Sequence, residues 1–130
     1  MYAQSTKGVT VTAQPIYLEE QSSPGEHRFV WAYQIRIENQ SPETVQLLTR
    51  HWRITDAQGR VQEVRGDGVV GEQPILEPGQ TFEYTSGCPL STPSGFMVGS
   101  YGMVTAGGGI FDVAIPAFSL DSPHGTLSVN

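Results

Sequence analysis

The chain has 130 residues and a formal net charge of −6, from 13 carboxylates against 7 lysines and arginines. That length holds one domain around one core, and the acidic balance excludes the basic stripe of a broad nucleic-acid footprint. Cys88 is the only cysteine, so no intrachain disulfide forms and a reducing cytoplasm is the expected location.

Residues 1–7 carry no apolar h-region and are expected as a flexible tail of a single domain spanning 1–130, as are residues 122–130. Val9 to Tyr17 is β-branched up to Pro15, which suits an edge or a bulge better than a central strand. Turn chemistry follows in Gln21-Ser22-Ser23-Pro24-Gly25-Glu26. In the next segment Phe29, Trp31, Tyr33, Ile35 and Ile37 alternate strictly, and a period of two places all five on one face. That strand is expected at the centre of the core. Val30 and Ala32 are apolar too, so its first half is expected to be covered on both sides.

After a turn at Asn39 to Glu43 the chain continues extended from Val45 to Leu48, and Trp52 and Ile54 mark another strand. Asp56-Ala57-Gln58-Gly59-Arg60 resembles a three-residue hairpin loop with Gly59 in the left-handed position. That register sets Trp52 opposite Val64 on the core side and Arg53 opposite Glu63 on the wet side. Thr81 to Thr85 and Phe96 to Val104 read as further strands, separated from the last by the turn Ala106 to Gly109. Phe111, Val113 and Ile115 alternate, then the apolar phase shifts across Pro116 to Phe118 and Leu120. A phase shift at a proline implies a bulge or bend on an edge strand. No segment keeps a 3.6-residue apolar period. Roughly seven or eight short strands with regular turn signals predict an all-β, antiparallel β-sandwich. No apolar run approaches a membrane span, so no membrane insertion is expected.

Gly66, Gly68 and Gly71 form a GxGxxG string. A dinucleotide fingerprint needs a helix opening at the last glycine, and Pro74 and Pro78 leave no room for one. The string is therefore read first as a loop needing positive φ and second as a nest of amides for an anion. Arg50 and Arg65 lie near its base, within a group of four arginines that runs from Arg50 to Arg65. Guanidinium forks match carboxylate and phosphate geometry, while cross-strand ion pairing on a solvated face is the simpler use.

Several ordered blocks carry a family resemblance: Gln21-Ser22-Ser23-Pro24, Phe29-Val30-Trp31-Ala32-Tyr33, and Leu47 through Asp56 (LLTRHWRITD). Gly66 through Leu90 (GDGVVGEQPILEPGQTFEYTSGCPL) and Thr92-Pro93-Ser94-Gly95-Phe96-Met97 complete them. Together the blocks resemble the ApaG family over most of the chain, from about Val9 to Leu120. The resemblance implies a fibronectin type III-like or immunoglobulin-like sandwich, a link to cobalt tolerance and magnesium efflux in bacteria, and an interaction role. It implies no catalytic residues.

Metal binding has little support in the residues. His27, His51 and His124 fall in a turn, a strand and a tail, whereas zinc- or cobalt-type sites want three or four converging ligands. Cys88 lies between Gly87 and Pro89, away from any helix N-terminus that would activate it. Trp52, Phe82, Tyr84 and Tyr101 are core candidates, or anchors for a protein partner where exposed. The expectation is a non-catalytic binding module, a monomer or weak dimer without cofactor, acting through an unidentified protein partner. Its candidate surface is the Gly66-to-Gln80 connection with Arg50 and Arg65. The alternatives are a small-anion or nucleotide sensor on the Gly66–Gly71 loop, and a metal-responsive protein.

Overall fold

Strict alternation makes Phe29–Asn39 (β3) the spine of the molecule. Phe29, Trp31, Tyr33, Ile35 and Ile37 are all buried, and Val30 on the other face is buried as well. The Trp31 indole N–H donates to the Asp121 carbonyl at 2.9 Å, so the largest core side chain carries no unpaired polar atom. The computed structural model describes residues 1–124. Tyr2–Thr6 (β1), Val9–Tyr17 (β2), β3, Val45–Asp56 (β4), Val61–Asp67 (β5), Ile75–Leu76 (β6), Thr81–Leu90 (β7), Ser94–Thr105 (β8) and Ile110–Asp121 (β9) form two antiparallel sheets. Their orders are β1-β2-β3-β7 and β5-β4-β8-β9, with β6 also paired to β4. The inner faces enclose one core cluster. This is the sandwich that the turn spacing predicted.

The β4–β5 hairpin has the expected register. Trp52 pairs with Val64, and Arg53 with Glu63. Trp52 is buried and Val64 half-buried, while Arg53 and Glu63 are exposed. The Asp56 amide donates to the Arg60 carbonyl at 3.0 Å, and Gly59 sits at φ 83. The β8–β9 register slips between Met97 and Gly99, opposite Pro116, on an edge strand. That is the bend which the phase shift implied.

Four expectations need correction. The segment 1–7 is not a free tail: Tyr2 to Thr6 pair with Ala13 to Val9. Tyr2 rests on Phe118 with ring centroids 6.1 Å apart, and the Thr6 hydroxyl accepts the Ala114 amide at 3.2 Å. Consequently β2 is internal from Val9 to Ala13 and becomes an edge only beyond Ala13, which is where Pro15 lies. At the other end, Ser122 is buried and its hydroxyl donates to the Pro93 carbonyl at 2.7 Å. The rest of that expected tail, 125–130, lies outside the described residues. Finally, the connection from Gly66 to Gln80 contains β6, paired to Val45 and Gln46. The buried Asn39 amide holds it, donating to the Leu76 carbonyl at 2.9 Å and the Glu43 carbonyl at 2.8 Å.

The two long sides of the sandwich differ. On one, β1 and β2 pack onto β9 and close the gap between the sheets; on the other, β7 and β5 have no such packing. The glycine-rich turn lies on that open side.

Candidate functional site

A bulge at Leu48 decides what lines the open side. Val45 and Leu47 face the core, the register then slips between Leu47 and Thr49, and Trp52 and Ile54 are the next buried residues. The even-numbered phase that they share also contains Arg50, so this arginine leaves β4 on the inner face. Its cross-strand partners are Tyr101 of β8 and Gly66 of β5. A Cβ at Gly66 would stand 2.8 Å from the Arg50 Nη1, so the missing side chain provides the room the guanidinium occupies. Nη1 donates to the carbonyls of Asp67 and Gly68, each at 3.0 Å.

Beyond Gly66 the chain makes a braced two-residue turn. The Gly68 amide donates to the Leu48 carbonyl at 2.8 Å, and Val69 and Glu72 exchange both backbone bonds at 2.8 and 2.9 Å. Val70 at φ 43 and Gly71 at φ 81 both have the positive φ of a type I′ turn. A β-branched residue there is a genuine outlier, yet Val70 is 55% exposed. No helix follows. The string is a strand end and a turn, and two of its amides, those of Gly68 and Val69, are already bonded. The nest reading loses those donors. Arg65 pairs with His51 and is exposed on the outer face of the sheet, where it lines, together with Arg50, Asp67 and Asp112, a cleft of about 490 Å³.

Two further clefts of about 260 and 220 Å³ adjoin Arg50, and both are lined by Tyr33, Trp52 and Ser86 as well. Cys88 lines the first; Tyr84 and Val70 line the second. Tyr33 and Trp52 meet edge to face, 5.3 Å between centroids. Burial pushes the Cys88 thiol up to about 11 and raises the Tyr84 and Tyr101 phenols, whose hydroxyls bond to each other at 2.5 Å. Burial also raises Tyr33, against the opposing pull of Ser86 and Arg50. All these groups are neutral at pH 7, and among the described residues no carboxylate lines either of these two clefts. The guanidinium is the one full charge there.

Chemistry elsewhere is dispersed. His51 points to the outer face and bonds Glu63 at 3.1 Å, whereas Cys88 is buried on the inner face, so no thiol–imidazole relay forms. Among the described residues no three His, Cys, Asp or Glu side chains are grouped to hold a metal ion. No helix among them is long and apolar enough to cross a membrane. The sequence pattern alone puts Arg50 at the base of a loop and Tyr33 in the core, and it carries no signal for Ser86 or Val70. Counting back by twos from Ile54 and Trp52 would have turned Arg50 inward. Only the β3–β7 register, Tyr33 against Ser86, adds the rest.

The whole chain is similar to proteins that carry a family name. Protein ApaG of Rhodospirillum centenum is 72% identical over 130 residues, covering the whole of both chains. Protein ApaG of Paramagnetospirillum magneticum is 65% identical over 124 residues, 95% of each. The crystal structure of a putative ApaA protein from Bordetella pertussis superposes with a TM-score of 0.87 at 50% identity, covering 95% of this chain and 98% of that one. The C-terminal domain of wzt shares the fold alone, at TM-score 0.54 and 11% identity over 92% of this chain and 76% of that one. The ApaG domain profile matches residues 19–105, from the turn before β3 through the glycine turn to the end of β8. With that profile and full-length relatives in agreement, the chain belongs to the ApaG domain family.

Proposed function

We propose that this chain is a non-catalytic interaction module acting in the cytoplasm. It binds a protein partner on the open side of the sandwich, at the Val69–Glu72 turn and the clefts beneath it. The observation that carries this reading is Val70. An exposed β-branched side chain is held on a left-handed backbone by four surrounding backbone and side-chain bonds, and such strain clusters at binding sites. The neutral thiol and the separated histidines fit binding better than group transfer. The link to cobalt tolerance and magnesium efflux that the family resemblance implies runs through that partner. In this reading the chain itself is a monomer or weak dimer that leaves nucleic acid alone.

Affinity capture from native cytosol, quantified by mass spectrometry, tests the reading with wild type and Val70→Asp side by side. Asp tolerates the left-handed region but removes the apolar tip. Loss of a captured protein with the variant, at unchanged melting temperature, is the expected result. An identical set of captured proteins would refute the placement of the surface.

A further inference from the structure

We propose that Arg50 anchors a carboxylate-binding site on the open side of the sandwich, and that the carboxylate is an acidic side chain on an extended partner segment. The proposal rests on the interaction-module reading and specifies what that module recognises.

The first support is a fork that is fixed and half used. Nη1 is spent on the Asp67 and Gly68 carbonyls, which sets the guanidinium plane. Among the described residues no acceptor meets Nε or Nη2, and no carboxylate lies within ion-pair distance of Arg50. Those two donors form the edge that matches a carboxylate bidentately. An inward-facing, half-buried arginine without an acid is a costly residue to keep in a chain with 13 carboxylates.

The second support is the lining. Tyr33 and Ser86 bring hydroxyls to both clefts, Trp52 brings an aromatic wall, and no lining residue carries negative charge. Volumes of about 260 and 220 Å³ suit a carboxylate on a short stem. One guanidinium balances one negative charge. A phosphate dianion would stay half neutralised in a chain of charge −6, and a carboxylate would not.

The third is the frame. Among the described residues β5 pairs only with β4, and β7 only with β3, so each presents an unpaired backbone edge beside the clefts. An extended segment can add to such an edge and drop alternate side chains inward.

The test is NMR titration of the ¹⁵N-labelled full chain, reading the Arg50 Nε–H signal and the β5 and β7 amides. The probes are the capped peptide acetyl-Thr-Val-Glu-Val-Thr-amide, its Gln counterpart, benzoate and inorganic phosphate. The Glu peptide should shift both sets of signals saturably, and the Gln peptide should bind about tenfold more weakly. Arg50→Lys keeps the charge without the fork and should lose that discrimination. The Glu and Gln pair needs no variant, so the test survives a misfolded Arg50→Lys. Equal affinity of the two peptides, or no saturable shift with either, would overturn the carboxylate site. Phosphate binding tighter than the Glu peptide would overturn the choice of anion, and benzoate binding as tightly would overturn the extended segment. Cytosolic capture that still depends on Val70 while both peptides fail would leave the module standing and the carboxylate site refuted.

Discussion

Two glycines of the same string should respond to alanine very differently. At Gly66 the backbone is outside the left-handed region, and the added Cβ meets only the far end of the Arg50 side chain, at 2.8–2.9 Å. The guanidinium swings away and loses two bonds, each worth about 1 kcal/mol net. Alanine in place of a strand glycine returns roughly 0.5–1 kcal/mol, so the net loss is about 1 kcal/mol. At Gly68 φ is +64, and the Cβ would lie 2.3 Å from the Glu72 carbonyl oxygen. That atom belongs to rigid backbone. The left-handed alanine costs about 1 kcal/mol, and the turn must open, releasing the Gly68–Leu48 bond and both Val69–Glu72 bonds. At about 1 kcal/mol each, the total reaches about 4 kcal/mol, a large share of the 5–15 kcal/mol typical of a domain. With roughly 3–5 °C per kcal/mol at this size, Gly66→Ala should lower Tm by about 4 °C and Gly68→Ala by about 15 °C. Circular dichroism melts and urea titration at neutral pH measure both. Equal losses, or a Gly68→Ala variant within about 1 kcal/mol of wild type, would refute the braced turn.

Trp31→Ala should cost about 3–5 kcal/mol, since it empties the core and strands the Asp121 carbonyl; an unchanged urea midpoint would contradict its burial. Stability should also fall at high pH. Cys88 ionises near 9.0 when unfolded and near 11 when folded, so its contribution is intact below about pH 9 and lost as pH rises through about 11. Cys88→Ala should flatten that decline by on the order of 2–3 kcal/mol, with Tyr84 and Tyr101 adding a loss of the same sign at higher pH. Cobalt or magnesium at low micromolar concentration should leave Tm unmoved, because ligand at a hundred times its Kd would add about 2.7 kcal/mol; a rise would make His51 the first residue to mutate. Mono- and dinucleotides should show no saturable binding tighter than about 100 μM at physiological salt, as read by calorimetry.

The alternation of Phe29 through Ile37, the β4–β5 register and the bend at Pro116 were legible in the chain. Each is a local matter: side-chain period, a turn with one left-handed glycine, a proline that cannot donate. Two prolines likewise sufficed to deny the glycine string its helix. What the chain could not display was which strand edges find partners. Tyr2 to Thr6 has no periodic signal, and it becomes a strand because β2 and β9 offer it backbone and packing partners. Pro15 reads as an edge residue, but only the length of β1 makes its half of β2 an edge. Arg50 is the sharpest case. Its residue type argues for solvent and its phase with Trp52 argues for the core. The tertiary structure decides for the inner face, half-buried, because Gly66 across the ladder leaves space and two turn carbonyls accept its protons. The inward placement of a charged fork depends on groups 16 to 18 residues away in the chain, and no local pattern encodes that meeting.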